Sequence, residues 1–395
     1  DNSSKDFVRI DNAYSYDMLD PNTNINRKQQ LILSKKQKGE LDTDAVYIGG
    51  AITSILNYQK SNTADKFGYL MRHPTSNNQR TTSSSEAVIH SAQLGLTANI
   101  GGWTTAYMEL LYNPEQSFGS GTITDLNRNQ TQIRKGYVLL GNLDRSPYYF
   151  SIGKMDTPFG LTDTVNPFTA STVWHAFGTL AYGANVGYMQ DGLNINLMAV
   201  QGGAQFRAAN TPVDGSNIPG KLNNFVIDAN YDFSLDNMNL LLGASYIKGS
   251  AYCQEFPITH FSACNKENGA HDLYAQLRGE NWLLQAEIAQ TEDVWAGTFN
   301  PTIPQFAAHK VTSWGVGGKL SSRIFDTPVD YSAEFSRFIA GPDGAPWEKQ
   351  DQFVLGAAGY ISPSVKLFGE YIRTQGYAPL NFLSGGNLGA GQTHS

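Results

Sequence analysis

Connections between predicted strands alternate between short and long along the chain, and this pattern limits the fold more than any other feature. Side chains on a strand point to opposite faces with a period of two. From Phe225 to Phe233 every second residue is apolar, whereas Asp228 and Asp232 lie on the opposite face. Soluble sandwiches share this alternation but mix their loop lengths, and propellers repeat every fourth strand. Short turns that alternate with long loops are typical of membrane β-barrels.

About fifteen strands are visible in the sequence. Asp191-Gly192 predicts a two-residue hairpin turn between two of them. The predicted strands are Val46–Tyr58, Val88–Ile100, Trp103–Tyr112, Ile133–Gly141, Tyr148–Met155, Leu180–Gln190, Leu193–Val200, Leu222–Ser234, Met238–Lys248, Ala270–Gly279, Asn281–Gln290, Val311–Leu320, Val329–Phe338, Gln352–Ile361 and Ser364–Thr374.

These strands predict an all-β fold: a transmembrane antiparallel up-and-down β-barrel of about 16 strands, with short periplasmic turns and long extracellular loops. The expected location is the bacterial outer membrane, where lipid and lipopolysaccharide surround the barrel. Charged residues make up only 16% of the chain, below the usual value of about 25%. Because no run approaches the ~18 apolar residues of a transmembrane helix, any membrane span must be a strand.

The number of strands leaves one end of the barrel open. A single-chain bacterial barrel needs an even number of strands, with both ends in the periplasm. The tail Tyr377–Ser395 has the composition of an outer loop and lacks an alternating strand with a final aromatic residue. We therefore expect the closing strand beyond Ser395, unless one strand has been miscounted.

Residues 1–44 lack alternation and are expected to form a periplasmic or lumen-inserted extension, followed by the barrel at 45–395. Asn26–Lys38 predicts one short basic helix. The spacing of Asp20, Asn22 and Asn24 begins like a calcium loop, but the glycine and glutamate that such a loop needs are absent, so no metal site is predicted. The chain begins without an apolar leader, and we expect that a signal peptide has been removed.

Charge and cysteine content narrow the possible functions. A formal net charge of −7 gives no basic surface for nucleic acid. Cys253 and Cys264 lie in one predicted outer loop, where a disulfide fits an oxidising compartment; two buried free thiols are the alternative. No catalytic motif is present, so we predict neither an enzyme nor a cofactor.

The long loop over residues 156–178 is predicted to fold into the barrel and narrow the pore, although an ordinary surface loop is the alternative. Its charged residues are only Asp156 and Asp163, which is unusual for a solvated loop. Lys154 and His175 are expected near the solute path, where basic groups would attract an anionic solute. Phe168 and Trp174 would supply flat apolar contacts. Polar lumen positions are expected at Glu109, Asp228, Arg278, Glu287, Lys319, Glu334, Lys366 and Glu370.

Three motifs carry a family resemblance: GELDTDAVYIGG at Gly39–Gly50, IGKMDTPFG at Ile152–Gly160, and NPFT at Asn166–Thr169. They resemble the LbtU-like family of siderophore porins from Legionella-type Gram-negative bacteria. The PFG motif, which includes Phe159, is also similar to phosphate-selective and carbohydrate porins. The resemblance implies a sixteen-stranded barrel that takes up ferric siderophore without TonB. The chain is too short for a plugged transporter of about 22 strands.

Several functions stay open on the sequence alone. The first is uptake of ferric siderophore, and the second is general or anion- or carbohydrate-selective diffusion of small solutes. A surface adhesin or an anchoring protein is a third hypothesis from a different class. The partners expected are a ferric siderophore or small anionic solute and a possible homo-oligomer. The candidate constriction residues are Lys154, Asp156, Phe159, Asp163, Phe168, Trp174, His175, Arg278 and Glu334.

Overall fold

The structure, a computed structural model, describes most of the chain. The described residues are 7–62, 82–113, 130–205, 208–214, 216, 218, 220–253, 264, 266–295, 309–340, 343, 348–376 and 391–394. Within these ranges no helix is both long and apolar enough to cross a membrane.

The main sheet contains 17 strands. Sixteen of them are antiparallel barrel strands, and the other is the two-residue strand Val8–Arg9. The barrel strands are β1 Ala45–Ser61, β2 Ser83–Ile100, β3 Thr104–Tyr112, β4 Thr131–Gly141, β5 Tyr148–Asp156, β6 Leu180–Gln190, β7 Leu193–Val200, β8 Asn224–Leu235, β9 Met238–Ile247, β10 Ala270–Arg278, β11 Trp282–Thr291, β12 Thr312–Ile324, β13 Thr327–Ile339, β14 Lys349–Ser362, β15 Val365–Gly376 and β16 Gly391–His394.

Each barrel strand pairs with the next along the chain, and the last pairs with the first. Strand β16 pairs with β15 and, at Thr393 and His394, with Ser61 and Lys60 of β1. Within the described residues, Gly391–His394 of the tail joins both edges as a sixteenth strand that the sequence did not predict. This strand has only four residues. A segment so short, without apolar alternation, gives no strand signal in the sequence.

The predicted turns and loops alternate around the barrel as expected. The Asp191-Gly192 turn has φ of 51° and 85°, the left-handed conformation of a two-residue hairpin. The short turns are 101–103, 142–147, 191–192, 236–237, 279–281, 325–326 and 363–364. They mark the periplasmic end in outer-membrane barrels, and the loop over 157–179, between β5 and β6, therefore starts at the outer end.

The outer face of the sheet is apolar. Large apolar side chains stay exposed on most strands, as on a surface that faces lipid rather than water. They include Ile52, Leu94, Val138, Ile152, Val186, Leu197, Ile227, Leu242, Leu273, Leu284, Val316, Leu355 and Leu367. Strand β16 joins the two edges through four residues of β15 and two of β1, and a closed β-barrel is one of the two ways a chain can span a bilayer.

Residues 7–44, here called the lumenal segment, lie against the inner face of the sheet. They contain two helices, α1 Asn12–Leu19 and α2 Lys28–Gln37, whereas the sequence predicted only the second. The side chain of Asp11 caps α1 by accepting from the amide of Tyr14, and the Tyr14 hydroxyl bonds Thr97 on β2 at 2.7 Å. A capped helix of eight residues has too short a periodicity to stand out in a polar stretch.

Helix α2 packs its apolar side onto β4 and β5. Leu33 is 1% exposed and lies against Gly141, where an added Cβ would be 2.9 Å from the Leu33 side chain. Gln30 donates to the hydroxyl of Tyr149 at 3.2 Å, and Lys36 donates to Thr105 at 3.1 Å. These partners are inward-facing strand residues, so the lumenal segment lies inside the barrel.

Candidate functional site in the lumen

The loop over residues 157–179, here called the inward loop, runs along the inner wall of the barrel. Its outgoing half is held by three glutamates on alternate strands, which we name the wall glutamates. These are Glu287 on β11, Glu334 on β13 and Glu370 on β15. Each accepts hydrogen bonds from backbone amides of the loop, so the loop crosses the wall from β11 to β15.

The individual bonds are short and buried. Glu287 accepts from the amide of Thr162 at 2.9 Å. Glu334 accepts from the hydroxyl of Thr164 at 2.7 Å and from the side-chain amide of Asn166 at 3.0 Å. Glu370 completes the series by accepting from the amides of Phe168 at 2.8 Å and Thr169 at 3.0 Å.

The inward loop returns to β6 through a short helix, α3 Thr172–Phe177, capped by the side chain of Ser171. The amide of Thr172 donates to Ser336 at 3.1 Å, and the hydroxyl of Tyr252 donates to the carbonyl of Ala176 at 2.9 Å. Both halves of the loop are therefore bonded to the barrel and not to solvent.

Asp163 joins the inward loop to the lumenal segment, and we call this set of bonds the latch. Its carboxylate accepts from the amides of Asn24 and Ile25, both at 3.0 Å, and from the guanidinium of Arg27 at 2.7 Å. The side-chain amide of Asn26 donates to the carbonyl of Phe159 at 2.7 Å. The turn between α1 and α2 is thus bonded directly to the loop.

Lys28 is the buried cation of the same turn. Its ammonium group donates to the carbonyls of Asp17, of Asp20 at 3.1 Å and of Thr23 at 2.8 Å. Burial disfavours the charged form and lowers the pKa of Lys28 to about 8, although the nearby Asp20 opposes the shift. Backbone carbonyls therefore compensate this charge only in part.

The wall opposite the glutamates contains a charged cluster that is complete in itself. Glu109 on β3 is 1% exposed and lies 3.3 Å from Arg134 and 4.0 Å from Lys135. Lys135 also pairs with Asp156, and Gln93 donates to Glu109 at 3.0 Å. Both signs of charge come from the barrel strands, so the cluster needs no group from the loop.

A cavity of about 120 Å³ lies between the two inserted parts and the barrel wall. Asn22 of the lumenal segment, Asn166 of the inward loop, and Lys319 and Lys366 of the wall line it. It is smaller than the ~300 Å³ of a typical ligand pocket. The lumenal segment, the inward loop and the barrel wall therefore meet around a small cavity.

The structure brings four of the sequence-predicted site residues together at the inward loop. Asp163 forms the latch, and Glu334 anchors the loop. Phe159 is 1% exposed and packs on Phe177 with ring centroids 5.9 Å apart. Phe168 stacks on Phe368 of β15 at 5.3 Å. Both rings of the inward loop are therefore packed against other aromatic rings.

Three more predicted residues lie at the ends of the loop. Asp156 belongs to the charged cluster on the opposite wall through Lys135. Trp174 and His175 lie on α3, half-buried, with their rings 4.8 Å apart. The two rings pack edge to face against each other.

Two predictions of position are wrong. Lys154 lies on the outer face, because Ser151 and Met155 contact Gln29 in the lumen and strand parity then turns residue 154 outward. Its ammonium group donates to the carbonyl of Ile133 and lies 5.9 Å from the centre of the Tyr182 ring.

Arg278 faces the lumen but lies next to the short turn at 279–281, far along its strand from the loop. It pairs with Asp232 at 2.7 Å. The sequence predicted correctly that Arg278 faces the lumen, but it did not predict the position of Arg278 along the barrel axis. Residues 22–27 of the latch were missed altogether, because nothing local to them indicates a partner at position 163.

The two cysteines are joined. A disulfide links Cys253 and Cys264, whose Cα atoms are 5.2 Å apart. Residues 254–263 between them lie outside the described part of the chain.

Comparison with solved structures gives the fold. The anion-selective porin from Comamonas acidovorans aligns with 87% of this chain and 97% of its own, with a TM-score of 0.50 and 13% identity. Pseudomonas putida OprB aligns with 88% of this chain and 92% of its own, with a TM-score of 0.50 and 10% identity. The chain has the fold of an outer-membrane porin. This fold and the apolar exterior place it in the bacterial outer membrane.

Comparison of sequences adds less. No family model matches the chain. A UPF0422 protein from Coxiella burnetii is 31% identical over 161 residues, which are 40% of this chain and 31% of that protein. The match thus spans about a third of the relative. It does not establish the resemblance to the siderophore porins.

Proposed function

We propose that the protein is an outer-membrane porin through which small hydrophilic solutes diffuse. The observation that carries this proposal is the inward loop, bonded along the lumen wall by the wall glutamates. A barrel of about 16 strands is wide enough for an aqueous channel, so a loop held across its interior determines what can pass. Diffusion through such a channel uses no catalytic group.

The lumenal segment is the second part of the proposal. It lines the same cavity as the inward loop, and this cavity holds only a few water molecules. Passage of a solute then requires the segment to move away from the loop. The latch at Asp163 is where the two parts separate.

Uptake of ferric siderophore is the second candidate function. The observation that favours it is the position of the three resembling motifs. Ile152–Gly160 leads into the inward loop, Asn166–Thr169 carries the bonds to Glu334 and Glu370, and Gly39–Gly50 connects the lumenal segment to β1. The three segments that resemble siderophore porins thus lie in or next to the inserted parts.

Planar-bilayer recording of the refolded protein tests the porin function. We expect discrete channels, and we expect deletion of Thr162–Ser171 to raise single-channel conductance because the outgoing half of the loop is removed. The deletion variant must retain the heat-modifiable migration of a folded barrel. Absence of channels in both proteins would contradict the proposal.

Growth separates the two candidates. A strain lacking the protein, supplied with ferric siderophore as the sole iron source, grows normally if the protein is a general porin. A growth defect restored by the full chain, and not by the deletion of Thr162–Ser171, supports siderophore uptake.

A further inference from the structure

Arg27 of the lumenal segment occupies an acidic site in the lumen. Its side chain is 16% exposed, and one guanidinium nitrogen lies 2.7 Å from the carboxylate of Asp163, itself 3% exposed. The Nε atom of Arg27 has no hydrogen-bond partner among the described residues. Asp163 is the side chain that holds the guanidinium in place.

More carboxyl groups surround this site than Arg27 compensates. Asp228 on β8 accepts hydrogen bonds from Ser245 at 2.7 Å and from Tyr274 at 2.8 Å. Its negative charge also favours the charged form of Arg27. Asp272 on β10 is 1% exposed, and its side chain interacts directly with that of Glu287.

Glu287 lies beside Asp272 under the inward loop. A Cβ added at Gly160, where φ is +71°, would be 2.5 Å from Glu287 Oε1 and 3.0 Å from Asp272 Cγ. Only a glycine allows the loop backbone to lie this close to the two carboxyl groups. Glu287 and Asp272 therefore lie behind the loop backbone, whereas Asp163 belongs to the loop itself.

We propose that Asp163 and Asp228 form a subsite for the guanidinium or ammonium group of a solute, and that Arg27 occupies it in the closed state. The inference rests on the proposed porin function and names its solute class. A cationic solute would compete with Arg27 for Asp163 and so favour withdrawal of the lumenal segment. This class is opposite in sign to the anionic solute expected from the sequence.

The experiment measures block of potassium current by agmatine, which carries a guanidinium and an ammonium group, in the full chain and its variants. Arg27→Gln vacates the subsite, and we expect the half-blocking concentration to fall about ten-fold, the effect of one charge-assisted hydrogen bond. Asp163→Asn in the Arg27→Gln background should reverse most of this change. Arg278→Gln is the matched control, since it removes a paired guanidinium at the periplasmic mouth, and it should leave the block unchanged.

Equal half-blocking concentrations in Arg27→Gln with and without Asp163→Asn would overturn the subsite. So would stronger block by gluconate than by agmatine. Wild-type selectivity gives a second measurement that needs no variant: the reversal potential in a potassium chloride gradient should show preference for potassium, and preference for chloride would overturn the proposal. Channels without agmatine preference contradict the subsite alone, whereas no channels in any protein contradict the porin function as well.

Discussion

The two inner walls of the barrel compensate their buried charges in different ways. On β3–β5, here called the mixed wall, Glu109 and Asp156 are paired with Arg134 and Lys135 from the strands themselves. On β8–β15, here called the acidic wall, Asp232 pairs with Arg278 beside a short turn. The carboxyl groups near the inward loop instead bond to its amides and hydroxyls or to neighbouring polar side chains. The mixed wall is complete without the inserted parts, whereas the acidic wall depends on them.

This difference shows which part of the lumen can change state. Separating the lumenal segment from the inward loop breaks the bonds at Asp163 and exposes its carboxyl group, which water or a cation can solvate. The mixed wall keeps its ion pairs in either state. A rigid half and an exchangeable half are therefore expected within one barrel, and mutations on the two walls should have different effects.

The largest effect is expected on the mixed wall. Glu109→Ala leaves Arg134 and Lys135 buried without their shared partner, which should lower the free energy of unfolding by about 3–5 kcal/mol. Urea unfolding in detergent, followed by heat-modifiable migration, measures it. Single-channel conductance should change little in protein that still folds. A loss below about 1 kcal/mol would mean that the cluster is solvated rather than buried.

The next effect concerns Lys28, which is influenced by both walls. Its pKa is about 8 in the docked segment and about 10.5 when solvated, so the withdrawn state binds more protons between these values. Docking should therefore tighten by up to about 1.4 kcal/mol per pH unit from pH 8 to pH 10.5, and it should not change below pH 8 through this group.

Channel open probability across this pH window checks the prediction. Lys28→Met, neutral at every pH, should remove most of the fall in open probability. Lys36→Met is the matched control on the same helix, because burial also lowers the pKa of Lys36. An unchanged pH dependence in Lys28→Met would assign the titration to another group.

The smallest effect on stability is expected on the acidic wall. Glu334→Ala removes the acceptor of Thr164 and Asn166, which should cost about 1–3 kcal/mol because the loop can find water instead. Conductance, by contrast, should rise and become noisier as the loop loosens. Paired recordings of Glu334→Ala and Glu109→Ala sharpen the comparison: equal conductance changes in both would show that the two walls are equivalent.

The barrel could be predicted from the sequence because its strands are long and alternate strictly. The strands around Asp191-Gly192 begin and end at the predicted residues, Leu180–Gln190 and Leu193–Val200. Alternation defines which face of the sheet a residue occupies, but it gives no information on the position of the residue along the barrel axis. Arg278 was therefore assigned to the lumen correctly but to the wrong level of it. Lys154 was placed beside the solute path because it precedes the loop, although its parity with the exposed Ile152 already indicates the outer face.

The candidate site could be predicted only in part, for a different physical reason. The low charge of residues 156–178 indicates a loop that avoids solvent. Which groups bind it depends on contacts across the barrel, such as Asp163 with Arg27, and these are separated by 136 positions. Two short polar segments that bond through backbone amides leave no periodic pattern in either one. The latch therefore had to be read from the structure.

The wall glutamates also set a length for the inward loop. They lie on every second strand, and because neighbouring strands are about 4.8 Å apart, consecutive glutamates are separated by about 9.6 Å around the wall. The amides that they bind belong to Thr162, Val165 and Phe168, and three extended residues span about 10 Å. The spacing of the bonded amides along the loop thus matches the spacing of the glutamates around the wall. A change of one residue between these amides breaks the match, whereas a change of three residues shifts the loop by two strands and restores it.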